Sequence, residues 1–383
     1  MNNSKPYIVS FSGGRTSAYL VHLMEEKRKL FDLDVRYVFM DTGCEAEETY
    51  DFIRNVVNHY EIDLVCLRVV INPQLGQANS YKIIPIDEIK HDLVPMHDLM
   101  KKYGTPYVRG AFCTQFMKGV AANSGTTSGP FYQWAEDNFG KGNYIAVLGI
   151  RADEPKRLLG DTNYSALLKK GYTCDEAIDL KNELVALAKA SGLDAVESYL
   201  SKLFSNESQQ DLFNTAFEVA KTDKSAVKSL LKRIQFLASD TVIYMADLDD
   251  SERDDVLRFW RGMPFDLQIF EWLGNCVFCI KKGPNKIALA ARDKPELAQK
   301  WIDLLHQSDI ADKERKFGKL IMYRGDQSFE QIIETYSHLS RDELAESVRS
   351  SKQLDANSCS ESCEALTCEA PFELTMQIDG HAA

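Results

Sequence analysis

The run Tyr7-Ile8-Val9-Ser10-Phe11-Ser12-Gly13-Gly14-Arg15-Thr16-Ser17 constrains this chain more than any other stretch. An apolar segment leads into two adjacent glycines and then into a helix-forming stretch. That order predicts a strand, a tight turn and a helix from about Thr16. Paired glycines let the backbone fold back and present bare N–H groups. The helix that follows directs the positive end of its dipole at the same place. Together they form a cradle for pyrophosphate, flanked by the hydroxyls of Ser10, Ser12, Thr16 and Ser17. No Gly-Lys-Ser/Thr closes the loop, which separates it from a Walker A motif.

Further strands are predicted at Val35–Met40, Leu64–Val70 and Tyr144–Ile150, with helices at Thr16–Arg28 and Glu47–Tyr60 between the first three. Alternating strands and helices imply crossover connections and a parallel α/β sheet. Ligands of such sheets sit outside the carboxyl ends of the strands, so those ends are where site residues belong. From about Leu158 to Ser239 the pattern turns helical. Val196, Tyr199, Leu200 and Leu203 follow helical spacing, as do Val227, Leu230, Leu231 and Ile234. We divide the chain into a nucleotide-binding core over 1–160, a helical insertion over 161–239, a continuation of the core over 240–345 and an acidic, weakly ordered tail over 346–383. From Ala345 onward seven acids face two bases.

With 383 residues and 44% hydrophobic content the chain can bury a large core. No apolar run is long enough to span a bilayer, and a cytoplasmic protein with no membrane partner is expected. The net charge of −12 argues against broad, non-specific nucleic-acid binding, which needs a basic face. Nine cysteines in a reducing compartment are read first as metal ligands or catalytic thiols.

Three more segments carry chemistry. The second strand runs into Asp41-Thr42-Gly43-Cys44-Glu45, an acid, a hydroxyl and a glycine at a strand end. The fourth runs into Gly149-Ile150-Arg151-Ala152-Asp153-Glu154, followed by Arg157. Arginine forks match phosphate oxygens, and an internal ion pair is the other use of such a loop. Cys276-Val277-Phe278-Cys279 supplies two thiolates to a metal or forms a redox dithiol. No histidine lies near this pair or near Cys113 in sequence.

These motifs resemble the PP-loop of the N-type ATP pyrophosphatases, and within them the phosphoadenosine phosphosulfate (PAPS) reductase branch. Many relatives carry Ser-Gly-Gly-x-Asp-Ser where this chain has Ser12-Gly13-Gly14-Arg15-Thr16-Ser17. The resemblance covers about residues 5–160 and 240–290 and implies an adenine nucleotide alpha hydrolase-like, Rossmann-like core. It implies that Ser10, Ser12, Gly13, Gly14, Arg15, Thr16 and Ser17 hold the phosphates of ATP with Mg²⁺. Asp41, Thr42 and Gly43 would hold the adenosine side, and Gly149, Arg151, Glu154 and Arg157 the third pocket segment, with Asp41 and Arg151 catalytic. Cluster-bearing sulfonucleotide reductases use a Cys-Cys pair and a later Cys-x-x-Cys. Here Cys113-Thr114 replaces the pair, so Cys113, Cys276 and Cys279 are the expected ligands of an iron–sulfur cluster, [4Fe–4S] in the nearest pattern. Zinc and a metal-free persulfide relay are the alternatives. Cys44, beside the pocket, is read as a pocket filler, with a fourth ligand or a sulfur carrier as its other uses.

The implied function is ATP-dependent adenylation of an acceptor coupled to sulfur transfer. The acceptor would be nucleic acid: DNA with partner proteins, as in the ATP pyrophosphatase component of phosphorothioation systems, or tRNA. A cysteine desulfurase would supply sulfur, and a homodimer is compatible with the pattern. The reductases without a cluster end in Glu-Cys-Gly-Leu/Ile-His, whereas Glu361-Ser362-Cys363-Glu364 lacks the glycine and histidine. Two other functions compete: a PAPS or adenylyl-sulfate reductase releasing sulfite, and a non-catalytic nucleotide sensor, for instance in phage defence.

Overall fold

The computed structural model describes residues 5–106, 112–118, 129–204, 216–311, 314–315, 318–319, 323 and 327–350. Residues 351–383, with Cys359, Cys363 and Cys368, lie outside the described residues, whereas 346–350, placed in the weakly ordered tail from sequence, form the end of a helix in which Val348 is buried. The chain divides into two compact units, 1–144 with 253–383, and 145–252.

The first unit opens with β1 (Tyr7–Ser10), α1 (Arg15–Phe31), β2 (Val35–Met40), α2 (Glu47–Tyr60), β3 (Leu64–Val70) and β4 (Ser80–Ile84). Strands β1, β2 and β3 are parallel, in register Tyr7↔Val35 and Tyr37↔Leu64. All four residues of β1 are buried, as suits a strand covered on both faces by crossover helices. Strand β4 pairs antiparallel with β3, Cys66 facing Ile84, and gives an otherwise parallel sheet an antiparallel strand that the sequence pattern does not announce. Its residues are mostly exposed, so it lacks the continuous apolar run that marks the inner strands.

Helices α1 and α2 each end on an acid in the left-handed conformation, Asp32 (φ 51°) and Glu61 (φ 53°). The N–H of each closes on a carbonyl four residues back, Arg28 and Val57. Apolar residues at helical spacing, Tyr50, Ile53 and Val56, turn α2 onto the sheet. Because β1 and β2 run parallel, their carboxyl ends lie side by side, and the turns after Ser10 and Met40 emerge together. The ladder continues into both turns: Phe11 N donates to Val38 O (2.9 Å) and Asp41 N to Leu67 O (2.8 Å). Two further helices, α3 (Val94–Tyr103) and α4 (Pro130–Phe139), flank a single π-type turn at Thr114–Lys118.

The second unit holds β5 (Ile145–Leu148), the helices α5 (Pro155–Leu159), α6 (Asp161–Lys169), α7 (Cys174–Ser191), α8 (Leu193–Leu203) and α9 (Ala216–Leu237), and β6 (Val242–Tyr244). Strands β5 and β6 are parallel, Ala146 opposite Val242. The helices share a core that includes Leu167, Leu180, Leu184, Val196, Leu200, Leu230 and Ile234. Four members of the sequence-predicted stripes do not reach it fully: Tyr199 is 42% exposed, and Leu203, Val227 and Leu231 pack against its edge. A capping box starts α7, with Thr173 and Glu176 each accepting from the other's backbone N–H.

The chain then returns to the first unit with α10 (Arg253–Arg261), α11 (Pro284–Asp293), α12 (Pro295–Leu305), α13 (Phe329–Thr335) and α14 (Arg341–Ser350). The core shared by α11 to α14 includes Ile287, Leu289, Trp301, Phe329 and Leu344, and it also takes in Cys44, Val277 and Phe278.

Candidate functional site

The turn after β1 is set by packing on α2. Gly13 has φ +82°, and a Cβ there would lie 2.9 Å from both Thr49 Cγ2 and Ile53 Cδ1. Both constraints require glycine. Gly14 begins α1 without a capping side chain, which leaves first-turn N–H groups available to an anion. Ser17 stitches the loop together. Its Oγ accepts from Ser12 N (3.1 Å), lies 2.9 Å from Ser12 Oγ and donates to Gly14 O (2.9 Å). The Arg15 side chain lies against Asp266, Nε to Oδ1 2.7 Å and Nη2 to Oδ2 3.0 Å, and also donates to Leu267 O. Trp260 Nε1 donates to Arg15 O (2.9 Å). Residues 260–267, distant in sequence, thus anchor the start of α1.

The turn after β2 is a buried network of acids. Asp41 is fully buried; its Oδ1 accepts from Gly43 N (2.9 Å) and from the Tyr50 hydroxyl (3.2 Å). Arg68 clamps Oδ2 through Nε (3.0 Å) and Nη2, and its Nη1 reaches Asp92 (2.8 Å). Burial and the neighbouring Glu45 charge push the Asp41 carboxyl up to about 6, against the pull of Arg68. Glu45, 1% exposed, accepts from Thr42 Oγ1 (2.7 Å) and Tyr50 OH (3.2 Å), and Lys118 Nζ stands 3.7 Å from it. Burial first, then these two carboxylates, raise the Tyr50 phenol well above its ordinary range, so it stays a donor to both.

Beside this network lie the cysteines. Cys276 Sγ is 3.6 Å from Thr42 Oγ1 and 3.9 Å from Glu45 Oε1. Val277 N donates to Cys44 O (2.9 Å), pinning the Cys-x-x-Cys loop to the β2 turn. Within that loop Cys279 N closes on Cys276 O (3.1 Å). Buried Lys282 supports it from beneath, donating to Trp272 O (2.7 Å) and Val277 O (2.9 Å). Cys113 comes from the segment 112–118, held by the stack of Phe116 on Tyr103 with centroids 4.6 Å apart. Cys113, Cys276 and Cys279 line one small pocket of about 30 Å³ with Thr42, Lys118 and Trp301. Thr42 thus belongs to the expected adenosine turn and to the thiol pocket at once.

Three thiols line this pocket, and thiolates are ligands that both zinc and iron–sulfur clusters accept. Among the described residues no three His, Cys, Asp or Glu side chains converge as the ligands of one metal ion. A zinc site closes four ligands on one atom, whereas each thiolate of an iron–sulfur cluster takes its own iron. Tyr323, buried beside the cysteines, has a hydroxyl with no hydrogen-bond partner among the described residues. Burial, then the charges of Cys279, Cys113, Cys276 and Cys44, raise its phenol well above the ordinary range.

The arginine loop belongs to the second unit. Arg151, 1% exposed, grips Asp153 with Nε (2.7 Å) and Nη2 (3.0 Å), a bidentate contact of the geometry a phosphate would use. Its backbone N–H donates to Glu154 (2.9 Å). Arg157 Nη1 donates to both Glu154 oxygens (2.8 and 3.0 Å) and, more weakly, to Gly149 O (3.5 Å). Burial alone would raise the Glu154 carboxyl, but the Arg157 and Arg151 charges hold it below its ordinary value. Arg233 on α9 donates to the carbonyls of Leu158 (2.9 Å) and Arg157 (2.8 Å), so a helix of the insertion steadies the loop.

Residues that no motif marks are Arg68, Lys118 and Tyr323. Only Arg68 leaves a trace, as a lone charge inside the apolar run Leu64-Val65-Cys66-Leu67-Arg68-Val69-Val70. Cys66, in the same strand, is raised to about 12 by burial and is inert.

Residues 6–103 match the phosphoadenosine phosphosulfate reductase domain. No solved structure matches. Two uncharacterized proteins of Methanocaldococcus jannaschii are similar over shorter stretches. One is 41% identical over 64 residues, covering 17% of this chain and 13% of its own length; the other is 29% identical over 114 residues, covering 28% and 26%. The uncharacterized nin region protein ORF290 of Escherichia phage lambda is 37% identical over 369 residues, 96% of this chain and 97% of its own length. A PAPS reductase domain at the N-terminus and a mostly parallel α/β sheet supporting its loops therefore go with full-length similarity: the chain belongs to the family of the phage lambda nin region protein ORF290.

Proposed function

We propose that the protein is an ATP-using sulfurtransferase: it adenylates an oxygen of an acceptor, releasing pyrophosphate, and sulfur then displaces AMP. The acceptor oxygen attacks the α-phosphorus of ATP; hydrosulfide attacks the activated centre and AMP leaves, so oxygen is exchanged for sulfur. Adenylation matters because a phosphate or carbonyl oxygen is a poor leaving group until it carries AMP. One observation carries this reading: the Thr42 hydroxyl, in the turn assigned to the nucleotide, lies 3.6 Å from the Cys276 thiol. Nucleotide chemistry and sulfur chemistry then share one wall.

In this reading the α1 N-terminus and the Ser12–Ser17 pair hold the phosphates with Mg²⁺, and Asp41 fixes the turn that presents Thr42. Cys113, Cys276 and Cys279 would hold an iron–sulfur cluster, which would supply a sulfur-rich, redox-active centre beside the nucleotide. A cysteine desulfurase supplies sulfur as a persulfide, a dithiol reductant releases it as hydrosulfide while itself becoming a disulfide, and the acceptor is nucleic acid, DNA before tRNA. A second reading, a sulfonucleotide reductase, is favoured by the domain match over residues 6–103.

Anaerobic protein incubated with ATP, a sulfide source and duplex DNA or tRNA should release pyrophosphate in step with sulfur incorporation. Sulfite release from PAPS instead assigns the reductase activity. ATP bound tightly with neither product refutes both and leaves a nucleotide sensor.

A further inference from the structure

We propose that Cys44 is the fourth thiolate of one iron–sulfur site, completed by Cys113, Cys276 and Cys279, with the buried donors Tyr323 and Trp301 hydrogen-bonding to its sulfur. The inference rests on the iron–sulfur reading above and deepens it by closing the ligand set.

Cys44 is built into the cysteine site by its backbone. Its carbonyl accepts from Val277 N (2.9 Å), the residue after Cys276, and Thr42, two residues before it, touches the Cys276 sulfur. Among the described residues its own sulfur makes one weak contact, to Thr42 O (3.3 Å), which ligation would release. At 1% exposure the thiol is shielded from bulk oxidants.

Packing alone accounts for a buried cysteine. It does not account for the donors around this one. The Tyr323 hydroxyl and the Trp301 indole N–H are both buried, and neither has an acceptor among the described residues. Unmade hydrogen bonds of this kind are rare in native interiors and point to an acceptor that the described residues do not provide. The two rings meet edge to face, with centroids 6.3 Å apart. Trp301 lines the pocket of Cys113, Cys276 and Cys279, and Trp301, Tyr323 and Cys44 belong to one buried core against which Cys113 and Cys276 pack. Thiolates and bridging sulfides accept hydrogen bonds, and donors of this kind tune the potential of such centres. Ligation releases the thiol protons and leaves the sulfurs as hydrogen-bond acceptors in the core that holds these two donors.

Reconstituting the full wild-type chain, Cys44→Ala and Cys44→Ser anaerobically with iron and sulfide tests the assignment. The readouts are iron and acid-labile sulfide per chain and the paramagnetic resonance of the oxidised protein. Wild type should carry about four irons, and the Cys44 variants should lose about one in four and gain a three-iron signal. Variants that keep the wild-type iron, sulfide and spectrum overturn the role of Cys44 and leave the iron–sulfur reading standing. A wild-type chain that takes up no iron overturns that reading and this one together. If both variants fail to fold, the Mössbauer spectrum of wild type loaded with iron-57 decides. Four irons in like tetrahedral sulfur surroundings are expected, and one iron with a non-sulfur ligand overturns the proposal. Tyr323→Phe should keep the iron and shift the midpoint potential; an unchanged potential removes Tyr323 from the site.

Discussion

Replacing Arg68 by methionine keeps most of the side-chain volume and removes the positive charge that faces Asp41. Asp41 is fully buried, with Glu45 as a second acid nearby, so an unpaired carboxylate has nowhere to be solvated. Breaking a buried pair by deleting one partner costs about 3–5 kcal/mol. The carboxyl has one escape, which is to take up a proton, and this makes the cost depend on pH. In the wild type its folded value of about 6 lies above the unfolded 3.8. Its contribution to stability is therefore complete below 3.8 and is lost as pH rises through 6. Without Arg68 the folded value rises further. Asp41 then stays neutral in the variant to a higher pH than in the wild type, whose carboxyl ionises near 6. The penalty of Arg68→Met should therefore be larger at pH 8 than at pH 5, by about 1.4 kcal/mol for each unit by which the carboxyl rises inside that window. Urea unfolding of both proteins at the two pH values measures this directly. A penalty equal at both pH values refutes the reasoning, as does a pH dependence that survives when Asp41→Asn is added to both backgrounds.

Gly13→Ala should destabilise the protein by about 1–3 kcal/mol, because its Cβ meets Thr49 and Ile53 at 2.9 Å with φ at +82°; an unchanged urea midpoint would mean that α2 yields. Lys282→Met leaves the carbonyls of Trp272 and Val277 without their donor and should cost about 1–3 kcal/mol. Its signature is faster amide exchange at Val277 and Cys279, and unchanged protection there would rule Lys282 out as the prop of that loop.

The parallel core was legible because its signals are local. Strand, glycine turn and helix follow within a dozen residues in β1 and α1, and hydrophobic periodicity does not depend on distant contacts. The cysteines were legible as a set because Cys276 and Cys279 have a spacing that chemistry restricts. Antiparallel β4 was not, since a mostly exposed strand lacks an apolar run. Nor was the environment of Arg151, whose fork grips Asp153 two residues away; the sequence offers the carboxylate and the phosphate as equal partners. Arg15 is the same case at long range, since its partner Asp266 is 251 residues distant. Tyr323 and Lys118 belong to no pattern at all. Their importance comes from what tertiary packing leaves beside them, an unmatched hydroxyl and a buried carboxylate.

Thr42 and Cys276 touch although 234 residues separate them, and that distance sets a timetable for a nascent chain. At about 5–20 residues per second, roughly ten to fifty seconds pass on the ribosome between their syntheses. During that interval the β2 turn, with Cys44, is made while its thiol partners do not yet exist, and the whole of 145–252 is synthesised in between. The first parallel strands can pair early, but the sulfur site waits for the returning chain. Loading of any metal by these cysteines can thus begin only after the chain has been made as far as Cys276. A message truncated before codon 276 would yield a sheet with half a site and an unguarded cysteine.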